Sequence, residues 1–592
     1  MEAKVYKEQV ARFEEELKGF NSRYNLLGSI RLVIGLAIPI LFYFFLTTYQ
    51  NAYLIGCLVL LTAFLFLVRI HVNLKNQREI VRALIQINQN EIDFIENGTL
   101  SFTNGKEFID PHHPYSYDLD LFGDRSIYQI LNRTSTFIGS QKLAEYLLEL
   151  KSIEEIQNRQ KAVAELEDKL EFRQKIAAFG MARKDSQEIH NELIEWSRSE
   201  IVEIPKWLVY LSYILPVFTF VSLGFLIAGH HLPWGKITVI SGVFNLALVM
   251  RQFKHVKGEL LNTTKIDLIL GNYSRIIEQI EAQNFESDKL KELQNKLKTD
   301  ASLASQNIAK LSSIFGQLEN IQNPVGAVLF NALIMYHVRT MSDLEKWKKN
   351  YISSIQSWLE VIGEMEALSS LSNFHYNNPS FCFPEINQQK QLEFEELGHH
   401  LIHEKVRVCN DLKYDQFKFI ILTGSNMSGK STFLRSLGVN MVLAQAGSSI
   451  CAKSANVHPM QVLVSMRVTD NLNENESFFF AEVKRLKETM EKASNSLSFV
   501  LLDEILRGTN SNDKREGTIG VIKKLIQKDI YGAIATHDLK VCDITKDHPG
   551  ILSNKNFEVE IQNEDLHFDY KLREGVCKNK SATFLMENME II

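Results

Sequence analysis

The segment from Ile421 to Gly438, ILTGSNMSGKSTFLRSLG, combines a glycine-rich loop with a lysine and hydroxyl residues. An apolar run ends at Gly424, and Gly429, Lys430 and Ser431 complete the spacing G-x-x-x-x-G-K-[ST] before a helical pattern. Such glycines let backbone N–H groups approach phosphates, and the helix N-terminus adds the positive end of its dipole. The pattern predicts that Lys430 contacts the β- and γ-phosphates of ATP and that Ser431 coordinates Mg²⁺. The other predicted nucleotide-binding residues of the loop are Ser425, Asn426, Met427, Ser428 and Thr432.

Two further apolar runs end in residues that could complete this chemistry. SFVLLDEI ends in Asp503 and Glu504, and GAIATHD carries His537 at the end of another predicted strand. Asp503 is suited to hold Mg²⁺ through water, and Glu504 to orient or deprotonate an attacking water. Acids or a histidine at a strand end are ordinarily solvated surface residues. Beside the phosphate loop they predict ATP hydrolysis, with His537 as a sensor of the γ-phosphate.

The elements that must position these residues change character along the chain. From about residue 388 to 592, short β-rich runs alternate with helices, which predicts an α/β P-loop NTPase domain. Residues 251–387 are polar and helical, and Ile355, Trp358, Leu359 and Ile362 share one face of a predicted helix. This part predicts an all-α domain of long packed helices that could act as levers. The boundary lies near 381–386.

Two pairs of apolar segments predict transmembrane hairpins. In residues 1–110, an amphipathic helix precedes candidate spans at about 32–49 and 52–68. The second pair occupies residues 207–250, joined by GHHLPWG, and its last helix is short. Two buried core helices are the alternative for each pair. Basic residues flank both pairs on the outer sides, which predicts a multi-pass protein of the cytoplasmic (inner) membrane with both termini in the cytoplasm.

Composition limits the other possibilities. The formal net charge is −6, without the basic surplus that is typical of nucleic-acid binders. The six cysteines are scattered without a C-x-x-C pair, which disfavours a zinc site or a disulfide framework and favours reduced thiols.

The motifs resemble those of the MutS family of DNA mismatch-repair and recombination ATPases. TGSNMSGKST resembles the family's T-G-P-N-M-[GS]-G-K-S-T, with Ser425 in place of proline, and DEILRGT resembles D-E-[IL]-G-R-G-T, with Leu506 in place of glycine. ATHD around His537 matches the family's A-T-H element. TDNLNENESFFFAEV resembles the signature D-D-L-x-x-x-x-S-T-F-x-x-E, in which the serine, here Ser477, reaches the nucleotide of the other subunit. The resemblance therefore implies a homodimer with composite ATP sites.

The resemblance extends outside the ATPase segment. Residues 111–206 and 251–387 are similar to the two parts of the family's helical core domain, and FDYKLREGV is similar to its closing strand. Residues 1–110 stand where mismatch readers carry their recognition domain, so we expect that domain to be absent. FEE at Phe13–Glu15 fits the mismatch-reading F-x-E motif by letters only, because Phe13 lies on the apolar helical stripe.

These observations favour a membrane-anchored MutS-type ATPase that hydrolyses ATP at a dimer interface and moves its helical levers. Binding of mismatched or branched DNA is implied by the resemblance alone. One alternative is an ABC-transporter-like ATPase acting on the membrane helices, although no L-S-G-G-Q motif precedes the acidic strand. Another is a scaffold that binds ATP without turnover, against which Lys430, Asp503 and Glu504 argue.

Overall fold

The structure is a computed structural model that describes residues 3–183, 185–201, 203–227, 231–250, 266–298, 302–319, 324–414, 417–467, 478–494, 496–528, 530–562 and 565–578. It begins with a pair of antiparallel helices, α1 (Lys4–Thr48) and α2 (Asn51–Asn97). The predicted amphipathic helix and the first candidate span form one continuous helix. The second candidate span likewise continues beyond residue 68, so both helices extend well past the apolar segments.

The polar ends of this helix pair dock against the rest of the chain. Tyr6 and Phe13 of α1 are buried, and Phe13 packs in a cluster with Val81 and Leu84 of α2 and Ala178 of the helical core. This confirms the predicted apolar stripe. Because Phe13 is enclosed by its own chain, it is not available to wedge beside a DNA base.

A helical core follows, interrupted by a second pair of apolar helices. In chain order its helices are α3 (Ile127–Leu131), α4 (Phe137–Leu148), α5 (Ile153–Glu167), α6 (Leu170–Met181), α7 (Gln187–Arg198), α8 (Lys206–Ile227), α9 (His231–Met250), α10 (Ile266–Ala282), α11 (Asp288–Lys296), α12 (Ala304–Glu319), α13 (Pro324–Ile334) and α14 (Tyr336–Asn377).

The predicted levers are one long helix and several shorter ones. Helix α14 has 42 residues, which corresponds to about 63 Å at 1.5 Å per residue. Its predicted face, Ile355, Trp358, Leu359 and Ile362, is fully buried in the main hydrophobic core. The same core also includes residues of the α/β part.

The second hairpin differs from its sequence prediction in one respect. GHHLPWG was expected to be the connection, but α9 already begins at His231 and has 20 residues. Trp234 therefore lies inside the helix, where its ring stacks on Phe225 with centroids 4.4 Å apart. The second helix therefore starts before the apolar run, and its first turns pack on the partner helix through this indole.

Within the described residues, four helices are long and apolar enough to cross a membrane, judged by length and composition alone. They are α1, α2 and the segments Lys206–Phe225 and Pro233–Met250 of α8 and α9.

The C-terminal part contains two sheets. The first has the strand order β1-β5-β2-β3 and the second β10-β9-β4-β8-β7-β6. Their bounds are β1 (Glu385–Ile386), β2 (Leu392–Leu397), β3 (Asn410–Tyr414), β4 (Phe419–Gly424), β5 (Ser454–Val457), β6 (Gln461–Ser465), β7 (Ser498–Asp503), β8 (Tyr531–Ala535), β9 (Leu552–Gln562) and β10 (Asp565–Glu574). The helices of this part are α15 (Lys430–Ala446), α16 (Phe478–Lys492) and α17 (Ser511–Ile526).

The pairing of the second sheet positions the predicted site. Strands β6, β7, β8, β4 and β9 run parallel, and only β10 pairs antiparallel with its neighbour β9. The carboxyl ends of β4, β7 and β8 therefore meet at one edge. In open α/β sheets this edge is where ligands bind.

Candidate functional site

The phosphate-type loop lies between the buried strand β4 and helix α15, as its sequence predicts. Gly424 has φ +155° and Gly429 has φ +103°, a region that disfavours other residues. A Cβ atom on Gly424 would lie 2.6 Å from Ser428 Oγ and 2.9 Å from the Phe557 carbonyl oxygen. Both glycines are therefore required by the backbone path of the loop itself, before any ligand is considered.

Lys430 is buried at the first position of α15. Its Nζ donates hydrogen bonds to the carbonyl oxygens of Gly424, at 3.0 Å, and Ser425, at 2.8 Å. Burial lowers the pKa of Lys430, and the nearby carboxylates Glu504 and Asp503 oppose that effect. The ammonium group is thus held inside the loop by groups that phosphate oxygens could replace.

Three buried oxygen atoms at this edge accept or donate no hydrogen bond within the described part of the chain. They are the hydroxyl oxygens of Ser425 and Ser428 and the Oδ1 atom of Asp503. Buried polar atoms are almost always paired in native proteins. The three unpaired oxygens lie around the predicted phosphate-binding loop. This arrangement fits a binding site in which a bound ligand or ion supplies the partners that these oxygens lack.

Glu504 and His537 come together directly beside the loop. His537 Nε2 lies 2.6 Å from Glu504 Oε1, and the backbone N–H of Glu504 donates to the Ala535 carbonyl at 3.0 Å. The contact with His537 is the main reason that the pKa of Glu504 is lowered to about 2. The carboxylate is therefore ionised at neutral pH, with one oxygen occupied by the histidine.

The segment after the acidic strand is fixed by a residue whose role the sequence did not reveal. Glu482 of α16 is buried and accepts the backbone N–H groups of Leu506, at 2.7 Å, and Arg507, at 2.9 Å. Leu506 has φ +61°, a conformation that favours glycine. The two bonds from Glu482 hold this turn in place although leucine replaces the glycine.

A cavity of about 470 Å³ opens beside the loop. Residues 426–433, Ser436 and Glu504 line one side, whereas Gly424, Ser425, Asp503 and His537 are not among the residues that line the cavity. The opposite wall was not predicted, and it consists of Leu397, His399, Ile402, Val406, Val408, Asn410, Phe557 and Tyr570.

This opposite wall depends on the β10 bulge. The register between β9 and β10 shifts between Phe568 and Leu572, and Tyr570 has φ +55°. The Asn410 amide donates to the Tyr570 carbonyl at 3.0 Å, and its Oδ1 accepts the Leu572 N–H at 2.8 Å. These bonds place the Tyr570 ring against Gly429, where an added Cβ would lie 3.1 Å from it. Nothing in the sequence pattern indicates this long-range pairing.

Ser477 lies outside the described residues, so its predicted position across a dimer stays a prediction. Its neighbouring elements are well defined. Arg467, just after β6, pairs with Asp120 through contacts of 2.6 and 2.7 Å, and Asp118 accepts the backbone N–H groups of Met466 and Arg467. The segment that precedes α3 therefore holds Met466 and Arg467 in place.

Comparison with known proteins assigns this architecture. Residues 420–589 match the family model of MutS domain V, a range that includes the loop, both acids and His537. The DNA mismatch repair protein MutS of Aquifex pyrophilus is 25% identical over 77% of this chain. Residues 420–589 are a MutS domain V, and the findings for the rest of the chain support a divergent relative of MutS.

Other MutS relatives align with shorter segments. MutS of Thermotoga maritima is 31% identical over 37% of this chain, and human MutS protein homolog 4 is 30% identical over 31%. The aligned segments cover 28%, 56% and 21% of the Thermotoga, Aquifex and human proteins, respectively, so this chain spans about half or less of each relative. Its mixed α/β sheets and largely helical remainder fit a MutS-like fold.

Proposed function

We propose that the protein is a membrane-anchored ATPase of the MutS type that hydrolyses ATP at sites shared between two copies. The observation that carries this proposal is the convergence of the Lys430 loop, Asp503, Glu504 and His537 at one sheet edge. Lys430 and the loop N–H groups bind the phosphates. Ser431 and Asp503 would hold Mg²⁺, which neutralises charge on the phosphate oxygens.

The low pKa of Glu504 favours one of the two roles predicted for this residue, orienting the attacking water, over the other, deprotonating it. A carboxylate with a pKa of about 2 is a weak proton acceptor at neutral pH, because general bases work best when their pKa is near the working pH. It remains a strong hydrogen-bond acceptor. We infer that Glu504 orients the attacking water while His537 fixes the carboxylate.

The unpredicted wall supplies the rest of the nucleotide site. This wall has an apolar and aromatic surface, formed by Ile402, Val406, Val408 and Tyr570. The volume of the cavity lies in the range of small-molecule sites, roughly 300 to 1,000 Å³. We propose that this wall accepts the base of ATP.

Sharing of the site between two copies is testable by complementation. Ser477→Arg chains and Lys430→Ala chains are each expected to be inactive as homodimers. When mixed, each heterodimer should regain one intact site, because both defects fall in the same composite site and leave the other one complete, and phosphate release should recover partially. Heterodimers verified by two affinity tags but lacking any recovery would count against the contribution of Ser477 to the opposite site.

Membrane anchoring is supported by the arrangement of side chains in the second hairpin. Its polar groups face each other: Thr238 Oγ1 lies 2.9 Å from Ser222 Oγ, and the Asn245 amide donates to Thr219 Oγ1 at 3.2 Å. Large apolar side chains face outward, including Tyr210, Ile214, Phe218, Val221, Val239, Ile240, Val243 and Phe244. In a water-soluble protein the apolar side chains would face inward instead. The observed arrangement is that of membrane helices, in which polar side chains form hydrogen bonds between the helices and apolar side chains contact lipid. We therefore propose that both hairpins span the cytoplasmic membrane.

Reporter fusions test this topology. A reporter after Gln50 or after His231 should be extracytoplasmic, and one after Lys257 cytoplasmic, because the basic flanks of both hairpins lie on the same side. A cytoplasmic signal after His231, together with solubility of the chain lacking residues 1–80, would contradict insertion of the second hairpin.

We propose mismatched or branched DNA as the nucleic-acid partner on family grounds. ATP-driven motion of α14, which connects the second hairpin with the α/β part, would act on that partner. Ultraviolet crosslinking of the native, detergent-solubilised protein should recover DNA. Absence of nucleic acid with intact ATP turnover would favour the alternative of an ATPase acting on membrane or other non-DNA partners.

A further inference from the structure

Helix α13 is short, apolar and exposed. Its sequence is PVGAVLFNALI, without a charged residue. Val328, Leu329 and Phe330 are 54%, 55% and 52% exposed, three consecutive large apolar residues on its outer surface. Neither its length of 11 residues nor its composition alone marks it as a span.

The inner side of α13 packs on the second hairpin. Ala332 Cβ would be 3.6 Å from a Cβ atom on Gly242 of α9, and the Asn245 amide donates to the Ala332 carbonyl at 2.8 Å. The polar residue of α13 is also satisfied internally, since Asn331 donates to the Ala327 carbonyl and accepts the N–H of His337. The helix thus turns its polar groups toward protein and its large apolar groups outward.

The positions of these two contact residues along α9 indicate how deep α13 lies in the proposed membrane. Gly242 and Asn245 precede Met250, the end of α9, by eight and five residues, or about 12 and 8 Å at 1.5 Å per residue. If α9 spans the bilayer, both contacts lie inside the inner half of a hydrocarbon layer about 30 Å thick. Helix α13 itself is about 16 Å long, too short to cross that layer.

We propose that α13 is a third membrane element, inserted into the cytoplasmic leaflet beside the second hairpin, with Val328, Leu329 and Phe330 in contact with lipid acyl chains. This inference rests on the proposed membrane anchoring. The start of α14 is bonded to the same hairpin: Arg339 donates to the Ser212 carbonyl of α8 at 3.1 Å and lies 4.5 Å from the Tyr213 ring centroid.

The insertion has a mechanical consequence. Helix α14 follows α13 directly through Met335, which is buried at φ +49°. The helix that ends next to the α/β part would therefore begin in the lipid. Movement of the ATPase part would reach the bilayer through α14 without passing through the loops of either hairpin.

Lipid photolabelling of the full chain tests the proposal. The protein is reconstituted in phosphatidylcholine vesicles containing an analogue with a diazirine in its acyl chain, irradiated, and mapped by mass spectrometry. Labelling is expected on the peptide with residues 328–330 and on Val217 and Val243 of the second hairpin. Leu539, 45% exposed in the α/β part, is the matched control and should remain unlabelled.

The outcomes separate the two proposals. Labelled Val217 and Val243 with unlabelled residues 328–330 would overturn the insertion of α13 and leave the hairpin intact. No labelling of the hairpins would overturn membrane anchoring itself. Placing a photoreactive benzophenone at Leu329 provides a second readout: adducts with lipid are expected, whereas adducts with another copy of the chain would show that a protein contact covers this face.

Discussion

Glu504→Gln is expected to reduce ATP turnover by roughly 10²-fold or more, as loss of a positioned catalytic carboxylate does. The substitution keeps the size of the side chain but removes the negative charge that faces His537 Nε2 at 2.6 Å. The attacking water then loses its charged acceptor, and the histidine loses the partner that fixes it. Nucleotide binding should persist, because Lys430 and the loop glycines are unchanged. Phosphate release and equilibrium binding of a fluorescent ATP analogue measure the two effects separately.

Two further variants make this result specific. Lys430→Ala should weaken binding itself, because it removes the buried ammonium of the loop. Glu393→Gln changes an exposed acid whose partner Lys413 lies 3.3 Å away, and it should leave both quantities near the wild-type values. Wild-type turnover in Glu504→Gln, with ATP still bound, would refute the role of Glu504.

The contrast between the two walls of the nucleotide cavity shows what the sequence could predict. Lys430 and Glu504, which line the first wall, follow strands of one parallel sheet, and parallel strands bring their carboxyl ends to one edge. Local motifs therefore sufficed to assemble that wall. Tyr570 lies on an antiparallel strand with a shifted register, held by Asn410 more than a hundred residues earlier in the chain. No local pattern encodes such a pairing, so the opposite wall was found only in the structure.

The apolar helices show the same limit. Hydropathy located both pairs of helices because a candidate span is a local run of about 20 apolar residues. It missed α13, whose 11 residues are too few for a span and acquire meaning only through their contacts with Gly242 and Asn245 of α9. It also placed the start of the second helix of the later hairpin too late in the sequence, because the Trp234 contact with Phe225 depends on the partner helix.

A buried carboxylate joins the N-terminal helix pair to the core. Glu91 of α2 is 2% exposed and accepts hydrogen bonds from the Arg133 guanidinium and from the amides of Asn373, at 3.0 Å, and Asn377, at 2.9 Å. Asn377 is the last residue of α14 and also accepts the Tyr6 hydroxyl at 2.8 Å. The end of the long helix nearest the α/β part is thus bonded to both helices of the N-terminal pair.

Glu91→Ala should therefore release α2 from the core. Removing one partner of a buried ion pair costs about 3–5 kcal/mol, since the Arg133 charge is left without a counter-charge. A loss of that size raises the local opening constant roughly 10²- to 10³-fold or more, at about 1.4 kcal/mol per factor of ten. Hydrogen exchange of amides in residues 84–97, followed by mass spectrometry of the detergent-solubilised protein, measures this change directly.

Glu96→Ala is the matched control on the same helix. Glu96 pairs with Lys7 at the surface, where both side chains are largely exposed and such a pair contributes about 0–1 kcal/mol. Its exchange rates should rise at most about fivefold, by the same conversion. Glu91→Gln should fall between the two variants, because the amide keeps one acceptor oxygen for Asn373 or Asn377 but no charge for Arg133. Equal exchange in Glu91→Ala and Glu96→Ala would mean that the apolar contacts around Phe13 alone dock the helix pair. The faster exchange that we expect would instead make Glu91 the link through which α14 and the first hairpin move together.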